Sequence, residues 1–97
     1  MPTKPNRYRS LFPGSKVSPE ALRAFKALGL VDVSNGNDTA PSFGNDRGLT
    51  VFAGDLSDGE WTALNGKRRY VVTNDEGEAI YSGNSLALVK QHVSRHR

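Results

Sequence analysis

There is no cysteine in this chain, and that one absence excludes a disulfide framework, a thiolate metal site and a thiol nucleophile. Long apolar runs are missing as well, since no stretch approaches the roughly 18–20 residues that a membrane-spanning helix needs. The amino end, residues 1–16, is basic but has no apolar core of a secretory signal. These absences lead to the expectation of a cytoplasmic protein that meets no membrane. Catalytic signatures are sparse too. No serine sits in a Gly-x-Ser-x-Gly elbow, and no glycine-rich phosphate loop ends in Lys-Ser or Lys-Thr. Asp55, Asp58 and Glu60 gather, but acids at a helix start are what capping and the helix dipole favour. The chain is therefore expected not to be an enzyme and to bind no cofactor.

What remains is a composition suited to one small globular domain: 97 residues, 36% hydrophobic and 24% charged. A chain of this length can bury one modest core. Its net charge of +3 is unevenly spread. Residues 1–16 carry Lys4, Arg7, Arg9 and Lys16 and no acid. Residues 17–66 hold seven acids against Arg23, Lys26 and Arg47, and residues 67–97 hold six bases against Asp75, Glu76 and Glu78. The chain is basic at both ends and acidic in the middle.

The first 16 residues contain Pro2, Pro5, Pro13 and Gly14 without helical or strand periodicity, and read as a flexible basic arm. A helix is then predicted over 18–28. Ser18 can cap its first turn and Pro19 suits the first helical position. Val17 and Leu22 have staple spacing, Ala21, Leu22, Phe25 and Leu28 form the apolar stripe, and Gly29 suits the left-handed residue beyond the end. Leu30–Val33 reads as a short strand, 34–48 as a loop, and Leu49–Ala53 as a second strand. A short helix carrying Trp61 and Leu64 should end at Asn65-Gly66. Two strands, Arg69–Thr73 and Glu78–Ser82, flank Asn74-Asp75-Glu76-Gly77, a type I turn with Gly77 in a bulge. Asn84 or Ser85 caps the last helix, with Leu86, Val89 and Val93 on its stripe. The expected fold is α+β: a single domain over 17–97 whose antiparallel sheet is completed by a C-terminal hairpin plus helix (ββα). Phe25, Leu28, Trp61, Tyr70, Val72, Ile80, Leu86, Val89 and Val93 are the candidate core.

The triplet Gly-Asn-Asp occurs at 36–38 and again at 44–46, inside the 34–48 stretch. Neither calcium-loop spacing is met: a loop from Asp32 places Asn37 where glycine is needed, and one from Asn35 places Ala40 there. Turn chemistry accounts for the composition directly, because Asn and Asp cap turns and Gly takes positive φ. His92 and His96 share a zincin-like spacing, but Val93 stands where that motif needs glutamate. No metal site is expected at either place.

Binding surfaces are left. Arg7-Tyr8-Arg9, with Phe12 close behind, and Lys67-Arg68-Arg69-Tyr70 each place arginines beside an aromatic ring. That pairing suits docking onto protein, where Arg and Tyr are favoured anchors. It equally suits phosphate contact with base stacking by Tyr8 or Tyr70. Arginines beside a strand also keep its edge soluble. The expectation is a small non-catalytic interaction protein, an inhibitor, adaptor or accessory protein such as mobile elements encode, docking on a larger protein or nucleoprotein assembly. Its candidate contacts are Arg7, Tyr8, Arg9, Phe12, Lys67, Arg68 and Arg69. The alternative is a nucleic-acid-binding protein that uses the same two clusters.

Overall fold

The computed structural model describes residues 17–34, 40–54 and 59–95. Their order is α1 (Pro19–Ala27), β1 (Val31–Asp32), β2 (Ser42–Gly44), β3 (Thr50–Ala53), α2 (Gly59–Asn65), β4 (Tyr70–Thr73), β5 (Ala79–Gly83) and α3 (Leu86–Arg95). The five strands form one antiparallel sheet in chain order, so each pairs with its sequence neighbours. The α+β architecture expected from the sequence is the architecture found.

Helix α1 starts as its capping residues require. The Ser18 side chain accepts a hydrogen bond from the Ala21 N–H at 3.1 Å, and Pro19 is the first helical residue. Leu28 closes the helix and Gly29 follows in the left-handed region. At the other end of the chain, Ser85 rather than Asn84 caps α3, its hydroxyl accepting from the Leu88 N–H at 3.2 Å. Both helices bury one stripe against the same sheet face: Ala21 and Phe25 from α1, Val89 and Val93 from α3.

The sheet meets those stripes with alternate residues. Val51 pairs with Val72 and Ala53 with Tyr70, and all four are buried while their neighbours Phe52 and Val71 are only half-buried. Phe43 of β2 lies opposite Val51 and brings its ring to 4.9 Å from that of Phe25. Leu28, Ile80 and Leu86, expected in the core, are partly buried against its edge, and Trp61 is buried outside the main cluster. Leu64 is 70% exposed, whereas Trp61 of the same helix is turned inward.

The 34–48 stretch is not the plain loop that its composition suggests. Ser42–Gly44 is β2, buried throughout and paired on both sides. Asn45 to Gly48 form the turn into β3, while 35–39 lie outside the described residues. Of Ser, Phe and Gly only Phe favours a strand; pairing on both edges and the Phe43–Phe25 contact hold it. The incoming end is tied by the buried Ser34, whose hydroxyl oxygen accepts from the Ser42 N–H at 3.0 Å.

Candidate docking surface

Three of the sequence-predicted contact residues, Lys67, Arg68 and Arg69, lie in the connection from α2 to β4. Gly66, with φ of 66°, ends the helix and turns the chain into it. The backbone that follows is held from two sides. On one side, the Trp61 indole N–H donates to the Arg68 carbonyl at 2.7 Å, and the Gly54 N–H donates to the Arg69 carbonyl at 2.7 Å. Trp61 itself is only 2% exposed and sits so close over Gly54 that a Cβ there would lie inside its ring. On the other side is Asn84. Its Nδ2 donates to the Lys67 carbonyl at 2.8 Å, and its Oδ1 accepts from the Arg69 N–H at 2.7 Å.

Main-chain groups of all three basic residues are thus spent on the protein's own scaffold, and the side chains are left to face outward. Lys67 and Arg68 are exposed and Arg69 is half-buried. A cation on a fixed backbone loses less freedom when it meets an anion than one on a loose loop. The arrangement can therefore hold a carboxylate or phosphate surface with three adjacent donors, the two arginines in bidentate geometry.

Tyr70, the fourth member of that run, does not join them. It is 5% exposed, and its ring meets Phe25 edge-on with centroids 6.4 Å apart. Burial pushes its hydroxyl above the usual phenol range; Arg69 draws it down and Glu20 pushes it up. A base cannot stack on this ring, so the Arg-plus-aromatic pairing expected at Tyr70 is corrected to a purely cationic strip. The reason is periodicity: Tyr70 pairs with Ala53, a core-face position, and the strand alternation sends the ring inward.

Arg7, Tyr8, Arg9 and Phe12 fall outside the described residues, as do Asp55, Asp58 and His96. His92 lies flat against Tyr81 of β5, the ring centroids 5.2 Å apart. Among the described residues no three His, Cys, Asp or Glu side chains gather as metal ligands would, and no helix is long and apolar enough to cross a membrane. Asn84 and Trp61 were not legible as parts of this surface. Asn84 reads as a helix cap, and only the fold brings it to Lys67 and Arg69.

Searched against protein-family models, curated proteins and solved structures, the chain matches none of them. The functional reading rests on its own residues.

Proposed function

We propose that this chain is a small non-catalytic interaction protein of the cytoplasm that docks on a larger protein or nucleoprotein assembly, with Lys67, Arg68 and Arg69 as a fixed cationic contact. The observation that carries the reading is the double tether of this strip, by Trp61 on one side and Asn84 on the other. Solubility alone asks for exposed charge; it does not ask for charge on a backbone braced by a buried tryptophan. The basic arm, through Arg7, Tyr8, Arg9 and Phe12, is the second contact of the proposal. Burial of Tyr70 weighs toward an acidic protein surface over single-stranded nucleic acid, because it removes the stacking ring from the strip.

The test compares the chain with a Lys67→Glu, Arg68→Glu double variant, each used to capture partners from the source cell. The expected result is one stoichiometric protein retained by the parent and lost by the variant at unchanged melting temperature. A variant that retains the same partner overturns the role of the strip, and a parent that retains none overturns the reading as a whole. A salt series with a single-stranded oligonucleotide, begun at about 50 mM, separates the alternative: binding that falls steeply with salt and disappears in the variant would move the reading to nucleic acid.

A further inference from the structure

We infer that the outer edge of β5 is a self-association surface, on which a second copy of this chain pairs its own β5 antiparallel. The two edges of the sheet differ in how they are protected. Strand β1 is two residues long and ends in Asp32, whose carboxylate accepts from the Ser34 N–H at 3.0 Å. Strand β5 runs Ala79-Ile80-Tyr81-Ser82-Gly83, without charge or proline, and Ala79 and Ser82 are exposed. Natural sheets blunt a free edge with lysine, proline, inward charge or shortness, and among the described residues the only such device here is a bulge near the Thr73–Ala79 pair.

Charge selects the occupant. One end of the β4–β5 hairpin carries Asp75, Glu76 and Glu78, all exposed. The other end carries Lys67, Arg68 and Arg69, of which Lys67 and Arg69 are bound to Asn84, the residue that follows β5. Antiparallel pairing about a two-fold axis near Tyr81 lays the acidic end of each copy against the basic end of the other. Glu78 then falls opposite Asn84 of the second copy, with the basic strip one strand further on. Two strand spacings are about 10 Å, a gap that a glutamate and an arginine or lysine close together. An extended peptide would need the same polarity, acidic at one end only; this chain supplies both halves of the match itself.

An apolar contact lies on the same side. His92 of α3 stacks on Tyr81, so that flank of the helix overlooks β5, whereas Leu86, Ala87 and Lys90 face Glu20, Arg23 and Ala24 of α1 on the opposite flank. Leu88, one helical turn before His92, shares the β5 flank and is 43% exposed. Continuing the sheet through a second copy brings α3 beside its counterpart and covers both leucines.

The inference does not rest on the partner reading and is tested on the purified chain alone. Sedimentation equilibrium of the full chain at about 50 mM salt should show a dimer that weakens as salt rises. A Glu76→Lys, Glu78→Lys variant and a Lys67→Glu, Arg68→Glu variant should each dissociate at least about tenfold more readily, because like charges now meet. Mixed together, these two variants should form a one-to-one heterodimer, and Leu88→Lys should weaken the parent dimer with no change in the monomer's melting temperature. Amide exchange should slow at Ser82 as concentration rises. A parent that stays monomeric at about 0.5 mM overturns the inference. So does a mixture that fails to pair, or a dimer whose newly protected amide is that of Asp32, which faces outward on the other edge because Val33 already donates to Ser42.

Discussion

Two turns in this molecule are built alike and stand side by side, yet they differ in what surrounds them. In Asn45-Asp46-Arg47-Gly48, between β2 and β3, the Asn45 Oδ1 accepts from the N–H groups of Arg47 at 2.9 Å and Leu49 at 3.1 Å. In Asn74-Asp75-Glu76-Gly77, between β4 and β5, the Asn74 Oδ1 accepts from Glu76 at 3.0 Å and Glu78 at 2.9 Å. Each closes with a glycine at positive φ, 84° at Gly48 and 80° at Gly77. One four-residue solution thus makes both hairpins: the asparagine side chain stands in for a missing backbone acceptor, and glycine takes the conformation other residues resist. What differs is the neighbour. A Cβ on Gly77 would meet nothing within 4 Å, whereas one on Gly48 would lie 2.3 Å from the Asp75 Cβ and 3.0 Å from its Cα. The first turn is packed against the second, and only one of the two glycines carries that contact.

The largest expected effect is therefore at Gly48→Ala, where left-handed strain adds to a backbone clash with the adjoining turn. It should lower stability by about 2–4 kcal/mol, read from denaturant unfolding. Gly77→Ala should lose only the conformational part, about 1–2 kcal/mol, measured the same way. Equal losses at the two glycines would show that the turns are not in contact. A smaller contrast separates the asparagines. Asn45→Ala strands the N–H of Leu49, a residue only 2% exposed, and should lower stability by about 1–2 kcal/mol. Asn74→Ala leaves the N–H groups of the exposed Glu76 and Glu78 to water and should lower it by about 0.5–1 kcal/mol. A larger loss at Asn74 would reverse the ranking and place the more dependent turn at the sheet's outer edge.

The second of these turns was legible in the sequence and the first was not, although their residues nearly repeat. Val and Tyr flank Asn74 to Gly77 and announce strands on both sides. Asn45 to Gly48 follow Pro41, Ser42, Phe43 and Gly44, whose composition announces a loop. Of the Gly-Asn-Asp repeat at 36–38 and 44–46, the first copy lies outside the described residues; among those described, the structural counterpart of Asn45-Asp46 is Asn74-Asp75. Helix α1, the final hairpin and helix α3 were all readable, because each rests on signals within a few residues of itself. The cationic strip was readable as charge but not as a braced element, since its braces, Trp61, Gly54 and Asn84, come from three separate stretches of chain.

By itself the sequence determined where α1 and α3 begin, which faces they bury and where the final hairpin turns: capping, periodicity and turn chemistry act over one to five residues and need no partner. It also determined the segregation of charge, which no fold can alter. Tertiary structure decided the rest. It made a strand of Ser42–Gly44 by supplying neighbours on both edges, placed Tyr70 in the core where the sequence offered it both a core and a surface role, and set Gly48 against Asp75. The physical reason is the same in each case. A strand's hydrogen bonds and a side chain's burial are made with residues distant in sequence, so a local stretch holds the capacity for them without the partner that realises it.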